Sequence, residues 1–191
     1  LMTPIQLANM MAAVANEGYY YTPHIIKKIE GEKIDEKYTT KHVTKVDKKH
    51  FKPVIDGLFD VYNLGTAHAL QVDGIEICGK TGTAENYTKI NGKRVKLQDH
   101  SIFVAFAPRV NPKIAIAVLI ENGYWGARWA GPITSLMIEK YLKGKITRTD
   151  LEKRMLEGSL QSEYAKYTGI KVVDELLLKP ATVNPDEPAE N

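Results

Sequence analysis

The sequence predicts an α+β fold, a helix-covered antiparallel sheet, and three observations carry that expectation. Three stretches late in the chain, 75–84, 101–107 and 114–120, have the alternating or continuous apolar pattern of strands. The links between them are short or rich in turn residues, so consecutive strands run antiparallel. Amphipathic helical stretches stand on either side of the strand region and supply covers for both faces of a sheet.

The first helix starts almost at residue one. Thr3 caps it, Pro4 suits the first helical position, and Gln6 reaches back to complete a capping box. Leu7, Met10, Met11 and Val14 recur at helical spacing, and Gly18 supplies the stop. A chain that opens directly on such a helix reads as a piece of something longer. After the Thr22-Pro23 break, His24 to Ile29 reads as a short strand and Gly31 to Thr44 as an exposed, charged loop or hairpin. Asp47 caps a second helix whose apolar face is Phe51, Val54, Ile55, Leu58, Phe59 and Tyr62, and Gly65 to Leu70 adds a short helical turn.

The strands follow. Ile75 to Ala84 is joined to Ser101–Ala107 through a polar segment with a turn at Asn91-Gly92, which predicts a long hairpin. Ser101–Ala107 is apolar on both sides: Ile102, Val104 and Phe106 face one way, Phe103, Ala105 and Ala107 the other. Pro108-Arg109-Val110-Asn111-Pro112 leads to Ile114–Ile120, and a helix from Gly131-Pro132 to Leu142 presents Ile133, Leu136, Met137 and Tyr141 on one side. Asp150 to about Tyr167 reads as a further amphipathic helix. From Lys179 the tail carries three prolines and no large apolar cluster, so residues 1–178 are expected to fold and 179–191 to be disordered.

Composition excludes more than it selects. A chain of 191 residues with 43% apolar letters builds one ordinary domain, and 26 basic against 23 acidic residues leave a net charge of +3, too small and scattered to argue for nucleic acid. One cysteine rules out an internal disulfide and a Cys-based zinc cluster, and the five histidines lack metal-ligand spacing, so no metal or cofactor is expected. The longest apolar run is far too short to span a bilayer.

The stretch Gly74 to Asn86, GIEICGKTGTAEN, carries the chemistry and admits two readings. Gly74, Gly79, Lys80 and Thr81 match a phosphate-binding loop, G-x-x-x-x-G-K-[ST]. A phosphate loop must open directly into a helix whose N-terminus faces the phosphates. Here Ile75-Glu76-Ile77-Cys78 alternates like a strand and nothing after Thr81 has helical periodicity. The strand reading accounts for the same letters: Glu76, Cys78 and Lys80 face one way, Ile77, Gly79, Thr81 and Thr83 the other. Lys80 and Thr81 then serve one site only where the strand borders a cleft. Gly82 would let an extended peptide approach an edge strand closely.

Lys80-Thr81-Gly82-Thr83-Ala84-Glu85, the strand His100 to Pro108 and the helix opening Thr3-Pro4-Ile5-Gln6-Leu7-Ala8 stand in the order found in penicillin-binding proteins. From Met2 to Leu142 the chain resembles the C-terminal part of a class B penicillin-binding transpeptidase domain, with the C-terminal portion of the β-lactamase/transpeptidase-like fold. Glu121-Asn122-Gly123-Tyr124-Trp125-Gly126 is similar to the elongation-type members.

The resemblance implies an acyl-serine enzyme that cross-links peptidoglycan stem peptides ending in D-Ala-D-Ala and is acylated by β-lactams. It implies that Lys80 supplies positive charge and supports proton transfer, and that Thr81 and Thr83 bind the substrate carboxylate. The Thr83 amide would form half of the oxyanion hole. It further implies a membrane-anchored protein on the periplasmic face of the bacterial inner membrane, working with other cell-wall synthesis proteins. The family's S-x-x-K and S-x-N motifs do not occur here: Ser101, Ser135, Ser159 and Ser162 are each followed by the wrong residues. The chain is therefore expected to carry one wall of an active site and to be inactive alone. A β-lactam sensor or β-lactamase of the same fold, and a non-catalytic scaffold, remain the alternatives.

Secondary candidates each read two ways. Cys78, on the Lys80 face, is either a reactive thiol or a packing residue. Trp125 and Trp129 either border the cleft or pack their own loop, and His68 and His100 read as structural. The choice between the two motif readings is testable: calorimetry with ATP or GTP and magnesium should detect no micromolar binding, and a Lys80-dependent micromolar isotherm would reverse that choice.

Overall fold

The computed structural model describes residues 2–90 and 92–165. The chain opens with α1 (Pro4–Ala15), whose Thr3/Gln6 capping box forms as expected. A two-residue pair, β1 (Tyr19–Tyr20) with β2 (His42–Val43), encloses the short helix α2 (Glu36–Thr39). A 3-10 turn capped by Asp47 leads into α3 (Phe51–Asn63), and a second 3-10 turn spans His68–Leu70. Then come β3 (Cys78–Ala84), the hairpin β4 (Tyr87–Ile90) with β5 (Lys93–Lys96), β6 (His100–Ala107) and β7 (Ile114–Ile120). Helices α4 (Ala130–Lys143), α5 (Thr149–Leu156) and α6 (Gln161–Ala165) follow. Among the described residues no helix is long and apolar enough to cross a membrane.

The main sheet is antiparallel in the order β3-β6-β7, with Thr81 opposite Phe103 and Phe103 opposite Val118. β6 is central and buried on both faces. Phe103, Ala105 and Ala107 join Ile77, Ile116, Tyr62 and Ile138 in one core layer, while Val104 and Phe106 join Cys78 and Met11 in the other. α1 covers the second layer with Leu7, Met11 and Val14, and α4 covers the first. α3 runs beside β3 and contributes to both, with Tyr62 in the first layer and Ile55, Leu58 and Phe59 in the second. Arg109, in the β6–β7 link, pairs with Asp56 and lies over the Phe59 ring at 4.4 Å, fastening α3 to the sheet end.

Several expectations need correction. His24 to Ile29 forms no strand: no neighbouring strand takes up its backbone, and Ile25 and Ile26 stand in solvent. β3 begins at Cys78 rather than Ile75: its ladder with β6 starts at Cys78 opposite Phe106, and before it a single backbone bond runs from the Arg109 N–H to the Glu76 carbonyl. Gly74, at φ +68, instead closes a tight turn in which Ile75 bridges Val72. Val54 lies outside the buried face of α3.

The buried face of α4 differs from the apolar stripe in its sequence. Its buried side carries Thr134, Ser135 and Glu139 beside Leu136 and Ile138, while Met137 and Tyr141 are exposed. The two hydroxyls donate to carbonyls within the helix, Thr134 to Ala130 and Ser135 to Pro132, so polar letters occupy core positions. The apolar stripe read from the sequence instead lines an open groove of about 560 Å³ with Ile114, Met155 and Leu156. The helix expected from Asp150 to Tyr167 breaks after Leu156. Gly158 packs so closely on Trp129 that a Cβ there would meet its ring at 2.4 Å, and Ser159 accepts from the Gln161 amide to start α6. Tyr167 and the 179–191 tail lie outside the described residues.

Glu139 is the most buried charge in the described chain and has a full set of partners. Its carboxylate accepts from the Thr147 amide, the Thr147 hydroxyl and Arg148 Nε. Arg148 Nη1 reaches the Leu70 and Gln71 carbonyls and Ser135 Oγ, so this pair ties α4 to the turn that leads into β3. Burial pushes the Glu139 carboxyl up, and the hydrogen bonds from Thr147 and Arg148 outweigh it, leaving it below the ordinary 4.5. With a lowered folded value, its contribution is present above the ordinary value and is lost as pH falls below about 4.5. Glu139→Gln should lower the unfolding free energy at pH 7 by about 3 kcal/mol in urea titrations, because it strands Arg148. The variant should also show a weaker loss of stability below pH 4.5 than the parent.

Candidate active site

Lys80, Thr81, Gly82 and Thr83 occupy the middle of β3, an edge strand: among the described residues only β6 pairs with it. Lys80 is not at a helix N-terminus, so the phosphate-loop reading is set aside. Its side chain is exposed, and Nζ donates to the Thr81 carbonyl at 2.9 Å and lies 3.4 Å from Thr81 Oγ1. Lys80 therefore curls around the strand edge, and the two opposite faces meet there. Thr81 is half-buried on the α4 side and Thr83 is exposed on the same side.

Close approach explains the glycines. A Cβ at Gly79 would stand 2.8 Å from the Phe103 ring, so the strand must be bare there to lie on the core. A Cβ at Gly82 would stand 3.3 Å from Ile102 Cβ, closer than an ordinary contact, so Ile102 would have to give by a few tenths of an ångström. The tighter constraint belongs to Gly126, where a Cβ would come within 2.3 Å of the Ile102 carbonyl and 3.0 Å of the Gly82 amide nitrogen. The Gly-rich loop 121–129 thus rests directly on the strand pair that carries the motif.

Two residues outside the expected set complete this wall. Thr66 Oγ1 lies 3.4 Å from Thr81 Oγ1. It is presented by the turn after α3, where Gly65 N donates to Asp60 O and the buried Ala67 donates to Val61 O. Ser101, opposite Thr83 in the ladder, is fully buried; its hydroxyl donates to the Trp125 carbonyl at 2.9 Å and accepts from Ala130 N at 3.1 Å. It pins the loop to the sheet and leads into α4. Only the spacing of Thr66 from the strand was visible in sequence, and spacing alone does not reveal a contact across fifteen positions.

The secondary candidates resolve cleanly. Cys78 is fully buried under α1, and burial pushes its thiol up to about 12, so the packing reading holds. Trp129 packs on Gly158, whereas Trp125 is exposed, edge-on to Tyr124, with Arg128 over the Tyr124 ring at 4.1 Å. His68 Nδ1 bonds the Asn63 carbonyl at 2.8 Å and His100 Nδ1 accepts from Asn122 N at 3.1 Å, both fixing loops. Ser101 and Ser135 are buried and engaged with backbone, and Ser159 caps α6, which leaves none of them placed as a nucleophile beside Lys80.

A lysine, paired threonines and a glycine thus stand on an exposed sheet edge, with a glycine loop seated on the next strand. Residues 1–139 match the family described as the penicillin binding protein transpeptidase domain. The chain belongs to that family. It is 33% identical over 147 residues to the peptidoglycan D,D-transpeptidase MrdA of Acinetobacter baumannii, covering 69% of this chain and 21% of that protein. It is 30% identical over 153 residues to PbpA of Mycobacterium tuberculosis, covering 75% and 30%. Among solved structures it resembles Pseudomonas aeruginosa PBP2 in complex with WCK 5153, with a TM-score of 0.59 and 32% identity over 78% of this chain and 32% of that one. The imipenem acyl-enzyme of M. tuberculosis penicillin-binding protein A gives a TM-score of 0.60 at 29% identity, over 74% and 31%. The chain therefore spans about a fifth to a third of the length of these relatives.

The burial of Cys78 gives a direct check. Iodoacetamide at pH 8 should leave this transpeptidase-family chain unmodified while it is folded and alkylate Cys78 once denaturant opens the core; rapid native alkylation would mean that α1 does not cover it.

Proposed function

We propose that the chain forms the Lys80-Thr81-Gly82 wall of a serine-type peptidoglycan D,D-transpeptidase, an enzyme that joins stem peptides through an acyl-serine intermediate and is acylated by β-lactams. The observation that carries this reading is the meeting of the Lys80 ammonium with the Thr81 hydroxyl, 3.4 Å apart, on the open edge of β3. An ammonium and a hydroxyl at one edge make a receptor for a peptide carboxylate. Thr66 and Thr83 add hydroxyls on the Thr81 side, and the Thr83 amide would donate to the oxyanion of the tetrahedral intermediate. A preorganised donor stabilises charge that a nucleophile has already created.

The nucleophilic serine and its general base belong to S-x-x-K, which does not occur in residues 1–191. In this reading they come from elsewhere in the whole protein, which sits on the periplasmic face of the inner membrane and works with other cell-wall proteins. The 1–191 segment alone should accordingly take up no labelled β-lactam, and the whole protein should be labelled. In the whole protein Thr81→Val removes one charge-assisted hydrogen bond at nearly constant volume and should slow acylation by about one to two orders of magnitude. Lys80→Ala should cost at least as much. Denaturation-resistant labelling of the isolated segment would place the nucleophile within it, and unchanged labelling of both variants would reduce the β3 motif to scaffold.

A further inference from the structure

The hairpin that leaves β3 carries two facing cations, Lys89 and Arg94, with no ion-pair partner among the described residues. The register places Tyr87 opposite Lys96 and Lys89 opposite Arg94, so these four side chains share one face of β4–β5. All four are exposed, whereas Thr88 and Val95, paired on the other face, are half-buried. Like charges directly across an antiparallel pair are destabilising. Lys89 and Arg94 stand in that relation in an isolated two-stranded ribbon, the sheet form least able to absorb such a penalty. Nearby carboxylates are engaged elsewhere: Asp99 pairs with Lys96 at 3.7 Å, and Glu85 accepts from the Tyr87 hydroxyl at 3.3 Å. Arg94 lies over Tyr87, its guanidinium carbon 3.7 Å from the ring centroid, which holds it on this face. Among the described residues no acidic group pairs with Lys89 or Arg94.

We infer that the Lys89/Arg94 face of the β4–β5 hairpin docks carboxylates of an acidic peptide whose C-terminal end is bound along β3. The inference rests on the transpeptidase reading, which sets the direction of that peptide. Its terminal carboxylate meets Thr81, its scissile carbonyl meets the Thr83 amide, and its preceding residues run on past Ala84. From Thr83 to Tyr87 the chain advances roughly 13 Å if extended, about the length of four peptide residues. Side-chain or α-carboxylates a few positions before the scissile bond therefore arrive at the cationic face. Arg94 suits a carboxylate because its planar fork donates to two oxygens at once. The charge selects for peptides with free acids over amidated ones and accelerates encounter at low salt.

The experiment titrates the whole protein with a fluorescent pentapeptide ending in D-Ala-D-Ala that carries free carboxylates before that terminus, and with its carboxamide counterpart, read by anisotropy. Lys89→Gln with Arg94→Gln should weaken the acidic peptide about three- to tenfold at low salt, as expected for the loss of two exposed ion pairs. It should leave the amidated peptide and the rate of β-lactam labelling unchanged; the labelling also reports that the variant is folded. Equal affinity of parent and double variant for the acidic peptide overturns the inference. So does Lys89/Arg94-dependent sedimentation with phosphatidylglycerol vesicles accompanied by unchanged peptide affinity, which would assign the face to a lipid surface. Failure of the parent protein to be labelled would instead refute the transpeptidase reading, and the hairpin would then stand or fall on the peptide titration alone.

Discussion

The burial of β6 on both faces is the constraint on which the rest of this structure depends. A strand with Phe103 and Phe106 fully buried on opposite sides needs a cover above and a cover below, and each such side chain contributes about 1.5–3 kcal/mol only if both covers are in place. α1 supplies one through Met11, and α4 supplies the other through Ala130 and Ile138. With β6 in the centre and β7 on one side, β3 is left at the edge. The exposure of Lys80 and Thr83 is thus a consequence of where the core had to be.

The same constraint fastens the Lys80–Thr83 edge to packed backbone. Gly79 lies on Phe103, Ser101 is buried opposite Thr83, and the loop that Ser101 pins rests through Gly126 on the backbone of Gly82 and Ile102. Each contact joins a functional strand to a packed one. A wall built this way holds its hydroxyls and amides in place before any ligand arrives, the condition under which electrostatic stabilisation is effective. The Glu139–Arg148 pair extends that fastening, since Arg148 reaches the carbonyls of Leu70 and Gln71, just after the turn that presents Thr66. The cost of burying Glu139 is offset by its hydrogen bonds, and the gain is a fixed path between α4 and the approach to β3.

The function proposed for the chain would give these features a common purpose. A strand edge that accepts an extended peptide needs groups for its terminus, a donor for the reacting carbonyl and something to meet the residues before it. In the function proposed above, Lys80, Thr81 and Thr83 would take the first two roles by position along β3. The hairpin that follows β3 would take the third in the inference drawn above. The loop carrying Tyr124, exposed Trp125 and Arg128 lies against the same strands, and its αL conformation at Asn122 and Tyr124 marks backbone held in place by the surroundings.

Much of this was legible in the letters. The capping box at Thr3, the three antiparallel strands, the two apolar faces of β6 and the assignment of Lys80 and Thr81 to opposite sides of β3 all follow from local chemistry and strict period-two alternation, which distant residues do not alter. What the sequence left undecided depended on partners far along the chain. Whether His24 to Ile29 became a strand required a neighbour that it did not find, and whether Thr134, Ser135 and Glu139 could be buried required hydrogen-bond acceptors and donors that only packing supplies. The same holds for Thr66 beside Thr81, Gly126 on Gly82, and Lys89 across from Arg94. Sequence determines which faces a strand has; only the tertiary structure decides what each face meets, because that is set by burial and close approach between segments with no local signal of one another.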